Sequence, residues 1–179
     1  MFYVVSGGSG SGKSEYAEHL ALAQETFPRI YIATMIAVDD EARQKVARHR
    51  KRRKGMGFET IECPVGLKHL RLPEKATVLL DCMSNLAANE MFSEDGAGVQ
   101  AAEAILKGVR KLVRPDRKVI LVTNEIFSDG CIYGEETMEY IRQLGKINQG
   151  MAQMADVVTE VVCGIPVHIK EEVKLCGHS

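Results

Sequence analysis

The stretch Gly7-Gly8-Ser9-Gly10-Ser11-Gly12-Lys13-Ser14 stands directly after "FYVVS" (2–6) and directly before a helical pattern that runs to about Gln24. The apolar run is short, β-branched and aromatic, so it reads as a buried strand. A strand that turns through glycines into a helix opens an α/β sheet whose later strands are mostly parallel. The spacing is G-x-x-x-x-G-K-[ST]. Its glycines let successive backbone N–H groups turn inward around a β-phosphate, Lys13 reaches the β and γ oxygens, and the Ser14 hydroxyl holds Mg²⁺. A bare Gly/Ser turn is the alternative, and it would need neither the strand before nor the helix after.

The remaining segments fit that opening. Strands are expected at 29–34, 58–64, 77–82 and 118–125, and helices at 39–54, 83–92, 99–113 and 135–155. The runs "TVLLDC" and "KVILVTNE" are continuously apolar and end in polar residues, as buried parallel strands do when their carboxyl ends line a site. A last pair, 156–164 and 166–170, predicts an antiparallel hairpin around Gly164-Ile165. The expected fold is an α/β P-loop NTPase-like three-layer sandwich, with a mostly parallel central sheet, helices on both faces and a C-terminal antiparallel hairpin. One nucleotide-binding domain spans 1–170, and 171–179 is a flexible tail.

Composition narrows the function. The net charge is −1, so any attraction to polyanions is local and the chain as a whole is no nucleic-acid binder. No apolar run approaches a membrane span, and "MFYVV" is too short for a signal-peptide core. The five cysteines form no C-x-x-C pair and read as reduced, mostly buried thiols of a cytoplasmic protein. Met151 and Met154 recur with Ile147 at helical spacing and read as core. His19, His69, His168 and His178 carry no usable pattern.

Three further positions carry chemistry. Mg²⁺ needs a second protein partner, and Asp81, at the end of a buried strand, is the natural one. An N-cap of the helix at 83–92 is the alternative. Glu125, at another strand end, is either a base for a substrate hydroxyl or a capping and salt-bridging acid. On the 39–54 helix, Ala42, Val46, His49 and Arg53 share one face by their spacing. His49 has three readings: a solvated surface residue, part of a nucleic-acid patch, or a nucleophile toward phosphorus. For the last, Arg48, Arg50, Lys51, Arg52 and Arg53 disfavour imidazole protonation and neutralise charge moving onto leaving pyrophosphate.

Taken together, "SGGSGSGKSEYAE", "DDEARQKVARHRKRRKGMGFETIECP", "VLLDCMSNLAANEMF", "VILVTNE" and "GKINQGMAQMADVVTEVVCGIPVHIK" resemble the bifunctional adenosylcobinamide kinase / adenosylcobinamide-phosphate guanylyltransferase family of cobalamin biosynthesis. The phosphate loop is shared with many unrelated enzymes, whereas the D-D-E…H-R-x-R-R and G-x-x-N-Q-x-x-A-x-x-A-D blocks are specific. The resemblance implies that His49 becomes guanylylated, that Gly7 to Ser14 grip the phosphates, and that Asp81 stands on the Mg²⁺ side. It places Thr34, Met35, Ile36, Arg50, Lys51, Arg52, Arg53 and Glu62 on the guanine nucleotide. It further implies GTP, ATP and Mg²⁺ as nucleotides and cofactor, adenosylcobinamide and its phosphate as small-molecule substrates, and a homotrimer with active sites near subunit contacts. The stretch 126–140, "IFSDGCIYGEETMEY", departs from the family's V-G-x-G-I-V-P and bears on corrinoid binding. The rival readings are a P-loop kinase of another small molecule, an RNA-binding protein using Arg48 to Lys54, and a GTP-binding paralogue without corrinoid chemistry.

Overall fold

Seven strands alternate with five helices in the computed structural model, which describes residues 1–36, 40–126 and 133–171. Within the second helix, the side chains of residues 41, 42, 45, 48–50 and 52 lie outside that description. The strands are β1 (Phe2–Ser6), β2 (Arg29–Ala33), β3 (Phe58–Glu62), β4 (Ala76–Asp81), β5 (Arg117–Val122), β6 (Val157–Val162) and β7 (Ile165–Glu171). The helices are α1 (Lys13–Leu22), α2 (Asp40–Arg53), α3 (Met83–Phe92), α4 (Ala101–Leu112) and α5 (Glu135–Met154). The sheet order is β3-β2-β4-β5-β1-β6-β7, parallel throughout except for the β6–β7 pair.

The period-2 geometry of the buried strands sorts side chains between two cores. Val78 and Leu80 of β4, with Ile30 and Ile32 of β2, join the core built by α3, α4 and α5. Leu79 and Tyr31 emerge on the opposite face and pack with Ala17 and Ala21 of α1. α4 shows why its face points inward: Ala101, Ala104, Ile105, Gly108, Val109 and Leu112 are buried at i, i+3/i+4 steps. It stops at Leu112, just before Arg114-Pro115, where a proline disfavours helix in the preceding residue.

The expected architecture holds, with three adjustments. The hairpin turn is Cys163-Gly164, both at positive φ (52° and 79°), and Ile165 already pairs with Val162. Glu171 pairs with Val157, so strand order reaches one residue into the expected tail, while 172–179 lie outside the described residues. Residues 98–100 form a 3-10 turn ahead of α4. Met151 and Ile147 are fully buried, as core packing requires. Of the cysteines, Cys63 is buried and Cys82 half-buried, but Cys163 is exposed at the hairpin tip; Cys131 and Cys176 fall outside the described residues.

Candidate active site

The loop after β1 closes on itself before α1 begins. Ser11 N–H donates to the Gly8 carbonyl at 3.2 Å, and the Lys13 ammonium donates to the same carbonyl at 2.9 Å. Gly12 sits at φ 90°, ψ 1°, a left-handed conformation that carries a cost with any Cβ. Gly7 is required for a different reason: a Cβ there would lie 2.6 Å from the Val161 carbonyl oxygen. The loop is braced from outside as well. Glu125 N–H donates to the Gly7 carbonyl at 3.1 Å, and Gly164 N–H, at the hairpin tip, donates to the Ser11 carbonyl at 2.9 Å.

A cavity of 460 Å³ opens above this loop. Ser9 to Ser14 form one wall. The ends of β2 and β4 supply another through Thr34 and Asp81, and Val46 and Arg53 of α2 close a third side. Parallel register explains the grouping: Val122 of β5 is level with both Val5 of β1 and Asp81 of β4, so the carboxyl ends finish together. Asp81 does not cap α3. The N-cap is Cys82, with no side-chain cap bond, which leaves the Asp81 carboxylate on the cavity. Ser14 and Asp81 thus line one cavity, and among the described residues no group of three or more His, Cys, Asp or Glu side chains gathers to hold a metal. That donor set fits Mg²⁺, which keeps several waters and takes one or two protein ligands plus phosphate oxygens.

The cavity floor is fixed by polar contacts. Thr34, fully buried, donates its hydroxyl to the Cys82 carbonyl at 2.8 Å and accepts from the Cys82 N–H at 3.0 Å. Asn89 of α3 donates to the carbonyls of Thr34 and Pro64 at 2.8 and 3.0 Å, tying together the segments that leave β2 and β3. Burial, and secondarily Asp81, raises the Cys82 thiol, so it stays protonated and is no rival nucleophile. Burial and then Asp81 likewise push the Tyr31 hydroxyl far above its usual range, so it stays neutral beside the carboxylate.

α2 is anchored at its last residue. The Arg53 guanidinium lies 3.4 Å from the centre of the Tyr31 ring and 4.0 Å from Glu18 of α1. Tyr31 is itself wedged edge-on against Phe58, with ring centres 6.3 Å apart. Arg53 is only 7% exposed, on the helical face that the spacing assigned to it. The ring of Tyr31 draws it in by covering its planar face, while Nε and Nη1 keep no hydrogen-bond partner among the described residues.

The remaining expected residues divide cleanly. Ser9 to Ser14, Thr34, Met35, Arg53, Glu62 and Asp81 line this cavity. Gly7 and Gly8 stand behind it as loop structure. Ile36 lines an adjoining cavity of 410 Å³, and Lys51 an open one of 1160 Å³; Glu62 reaches all three. The side chains of His49, Arg50 and Arg52 lie outside the described residues, as does 127–132 of the divergent stretch. Glu125 is tied to the loop by its backbone, and its side chain is not on the cavity wall, so the base reading gains nothing here. Glu15, Tyr31, Asn85 and Asn124 also line the cavity, and sequence reasoning missed all four.

Comparison with known proteins places this geometry. A family model described as cobinamide kinase / cobinamide phosphate guanyltransferase matches residues 3–169. The chain is 34% identical to the bifunctional adenosylcobalamin biosynthesis protein CobP of Pseudomonas aeruginosa, over 94% of this chain and 97% of that one. It is 34% identical to the bifunctional adenosylcobalamin biosynthesis protein CobU of Escherichia coli K12, over 95% of this chain and all of the other. Among solved structures, it resembles a Pyrococcus horikoshii OT3 protein with a TM-score of 0.53 and 8% identity, over 97% and 87% of the two chains. It also resembles an ATPase from the type III secretion system of pathogenic bacteria, with a TM-score of 0.52 and 9% identity, over 94% and 56%. These last two likenesses speak for the P-loop NTPase-like fold alone. On the family match and the two curated relatives, the chain belongs to the cobinamide kinase / cobinamide phosphate guanyltransferase family, whose members are bifunctional kinases and guanylyltransferases.

Proposed function

We propose that this protein phosphorylates adenosylcobinamide with ATP or GTP and then transfers GMP from GTP to adenosylcobinamide phosphate through a guanylyl-histidine at His49, giving adenosylcobinamide-GDP. The observation that carries the reading is that Val46 and Arg53 of α2 line the same cavity as Lys13 and Asp81. Position 49 follows Val46 by three and precedes Arg53 by four, so it shares their helical face.

In the first reaction the acceptor hydroxyl attacks the γ-phosphorus, the bond to the β-bridging oxygen breaks, and the hydroxyl proton leaves to water. Lys13 and the loop amides hold the transferring group by position and charge. In the second, neutral His49 attacks the α-phosphorus and pyrophosphate departs. The acceptor's phosphate oxygen then displaces the imidazole, which leaves neutral again. Bound Mg²⁺, held by Ser14 and Asp81, would supply charge neutralisation at the phosphates. Two in-line displacements give net retention at the α-phosphorus.

The test uses GTP labelled at either end. Protein denatured after incubation with α-labelled GTP should keep label in an acid-labile, alkali-stable bond, and protein given γ-labelled GTP should not. Label from neither end would reduce the protein to a simple kinase or a GTP-binding paralogue.

Arg53 belongs to the same reading as a GTP contact. Stacking of a desolvated guanidinium on Tyr31 stabilises by about 2 kcal/mol, and its two unbonded nitrogens cost about as much. Nη1 lies 4.0 Å from the buried Glu18 carboxylate, so Arg53 neutralises that charge as well as lining the nucleotide cavity. Arg53→Ala should therefore lower the urea midpoint, by removing the cation beside buried Glu18, and weaken GTP binding of the folded protein about tenfold, as loss of one charge-assisted hydrogen bond would. Unchanged GTP affinity would return Arg53 to a structural role.

The homotrimer, the cytoplasmic location and a single domain over 1–170 belong to the same proposal. Support for a subunit contact comes from the edge strand β7, where Ile165, Val167 and Ile169 are 65, 47 and 62% exposed. No helix among the described residues is long and apolar enough to cross a membrane. Sedimentation equilibrium is expected to return three times the 19.8 kDa chain mass, and a monomer at micromolar concentration would remove the trimer.

A further inference from the structure

The cavity has two chemically different polar walls. One is the cationic phosphate loop. The other, from the first turn of α3 and the end of β5, offers the amides of Asn85 and Asn124 and no cation. Neither residue was singled out from the quoted segments that contain it, yet one of them is held with care.

Asn124 donates Nδ2–H to Ser84 Oγ at 2.6 Å, and Ser84 Oγ also meets Cys82 Sγ at 3.0 Å. The backbone beneath is pinned from α5. Thr123 donates its hydroxyl to Asn148 Oδ1 at 2.7 Å, and Asn148 Nδ2 donates to the Asn124 carbonyl at 3.4 Å. Tyr140 holds the Ser84 carbonyl at 3.2 Å. α3 and α5 thus fix Asn124, with one amide N–H engaged and its Oδ1 without a partner among the described residues. The Asn85 side-chain amide, half-buried on the same wall, has no hydrogen bond to any described residue. Half-buried amides with unused donors and acceptors on a cavity wall are suited to a polar ligand.

We infer that Asn85 and Asn124 form the site for the reacting end of the acceptor, reading a hydroxyl and a phosphate monoester in turn; this rests on the two-step reading above. The acceptor's terminus changes from a neutral alcohol in the kinase step to a dianion in the transfer step. A carboxylate wall would accept the alcohol's hydrogen bond but repel the phosphate. A lysine would favour the dianion and offer the alcohol no acceptor. An amide pair serves both: Asn124 Oδ1 accepts from the hydroxyl, and Asn85 Nδ2–H donates to either oxygen.

The test is equilibrium dialysis of the full chain with adenosylcobinamide and with adenosylcobinamide phosphate, followed by corrinoid absorbance, on the parent and on Asn85→Asp and Asn124→Asp. Both variants are close to isosteric, and a urea midpoint close to the parent's certifies the fold. Each new carboxylate should weaken adenosylcobinamide phosphate about thirtyfold or more, and adenosylcobinamide less than about fivefold. An Asn85→Ala variant, which loses hydrogen bonds without adding charge, should weaken the two acceptors by similar factors. Equal loss of both acceptors in the Asp variants, or loss of neither, overturns the assignment. A parent that binds neither corrinoid overturns it together with the substrate reading. Failure to form guanylyl-histidine is a separate outcome, because the dialysis involves no chemistry at His49, and a thirtyfold split there would stand without it.

Discussion

His49→Ala should abolish retention of α-label on the protein and lower GMP transfer by about a thousandfold or more, the scale seen when a covalent nucleophile is removed. The kinase step should fall far less, because no bond to His49 forms in it. The split between the two activities is the informative quantity. A variant that lost both equally would point to a helix no longer docked, and one that lost neither would remove the imidazole from the chemistry. Arg53 makes a docking failure unlike chemistry failure in practice: its contacts with Tyr31 and Glu18 anchor the end of α2 four residues beyond position 49. Near-ultraviolet dichroism of Tyr31 and its neighbours reports whether that anchor survives.

Lys13→Ala is expected to act on both reactions at once. The ammonium is almost fully buried and already bonded to the Gly8 carbonyl, so it is held in place before nucleotide arrives and needs no reorganisation. Removing a preorganised cation from a phosphate site costs about a hundredfold to a thousandfold in kcat, and GTP affinity should fall with it. Its signature differs from that of His49→Ala: kinase and transfer decline together, and α-label appears slowly rather than never. Lys13→Arg should not rescue, since the guanidinium fork cannot replace a point donor inside a loop closed on the Gly8 carbonyl. Single-turnover rates with saturating GTP separate the chemical loss from the loss of binding. Retained kinase activity in Lys13→Ala would mean that the loop amides alone carry the transferring group.

What could be read in the sequence was local in the chain. The phosphate loop declares itself because its spacing, its left-handed Gly12 and the strand before it occupy one short segment. Asp81 was legible for a related reason: a continuous apolar run ends there, and buried parallel strands place their polar ends on the site. Asn85 and Asn124 gave no such signal. Their meeting depends on the first turn of α3 lying beside the end of β5, a tertiary fact that no spacing encodes. Arg53 was named through the family resemblance, but its burial was not legible, because the Tyr31 ring that covers it lies twenty-two positions earlier and Glu18 lies on another helix. The hairpin turn was displaced by one residue because cysteine at positive φ is uncommon, so glycine looked like the first turn residue rather than the second.

The place of β1 in the sheet also sets the order in which the enzyme can assemble. Phe2 pairs with Val119 and Tyr3 with Val157, and the loop that follows is buttressed by Gly164. A growing chain therefore exposes its phosphate loop more than a hundred residues before either flanking strand has been made. Such long sequence separations slow folding and leave an apolar strand waiting unpaired. Nucleotide can steady the loop only once β5 and the β6–β7 hairpin are in place, so a chain cut short of that hairpin keeps the phosphate-binding motif without the neighbours that hold it in shape.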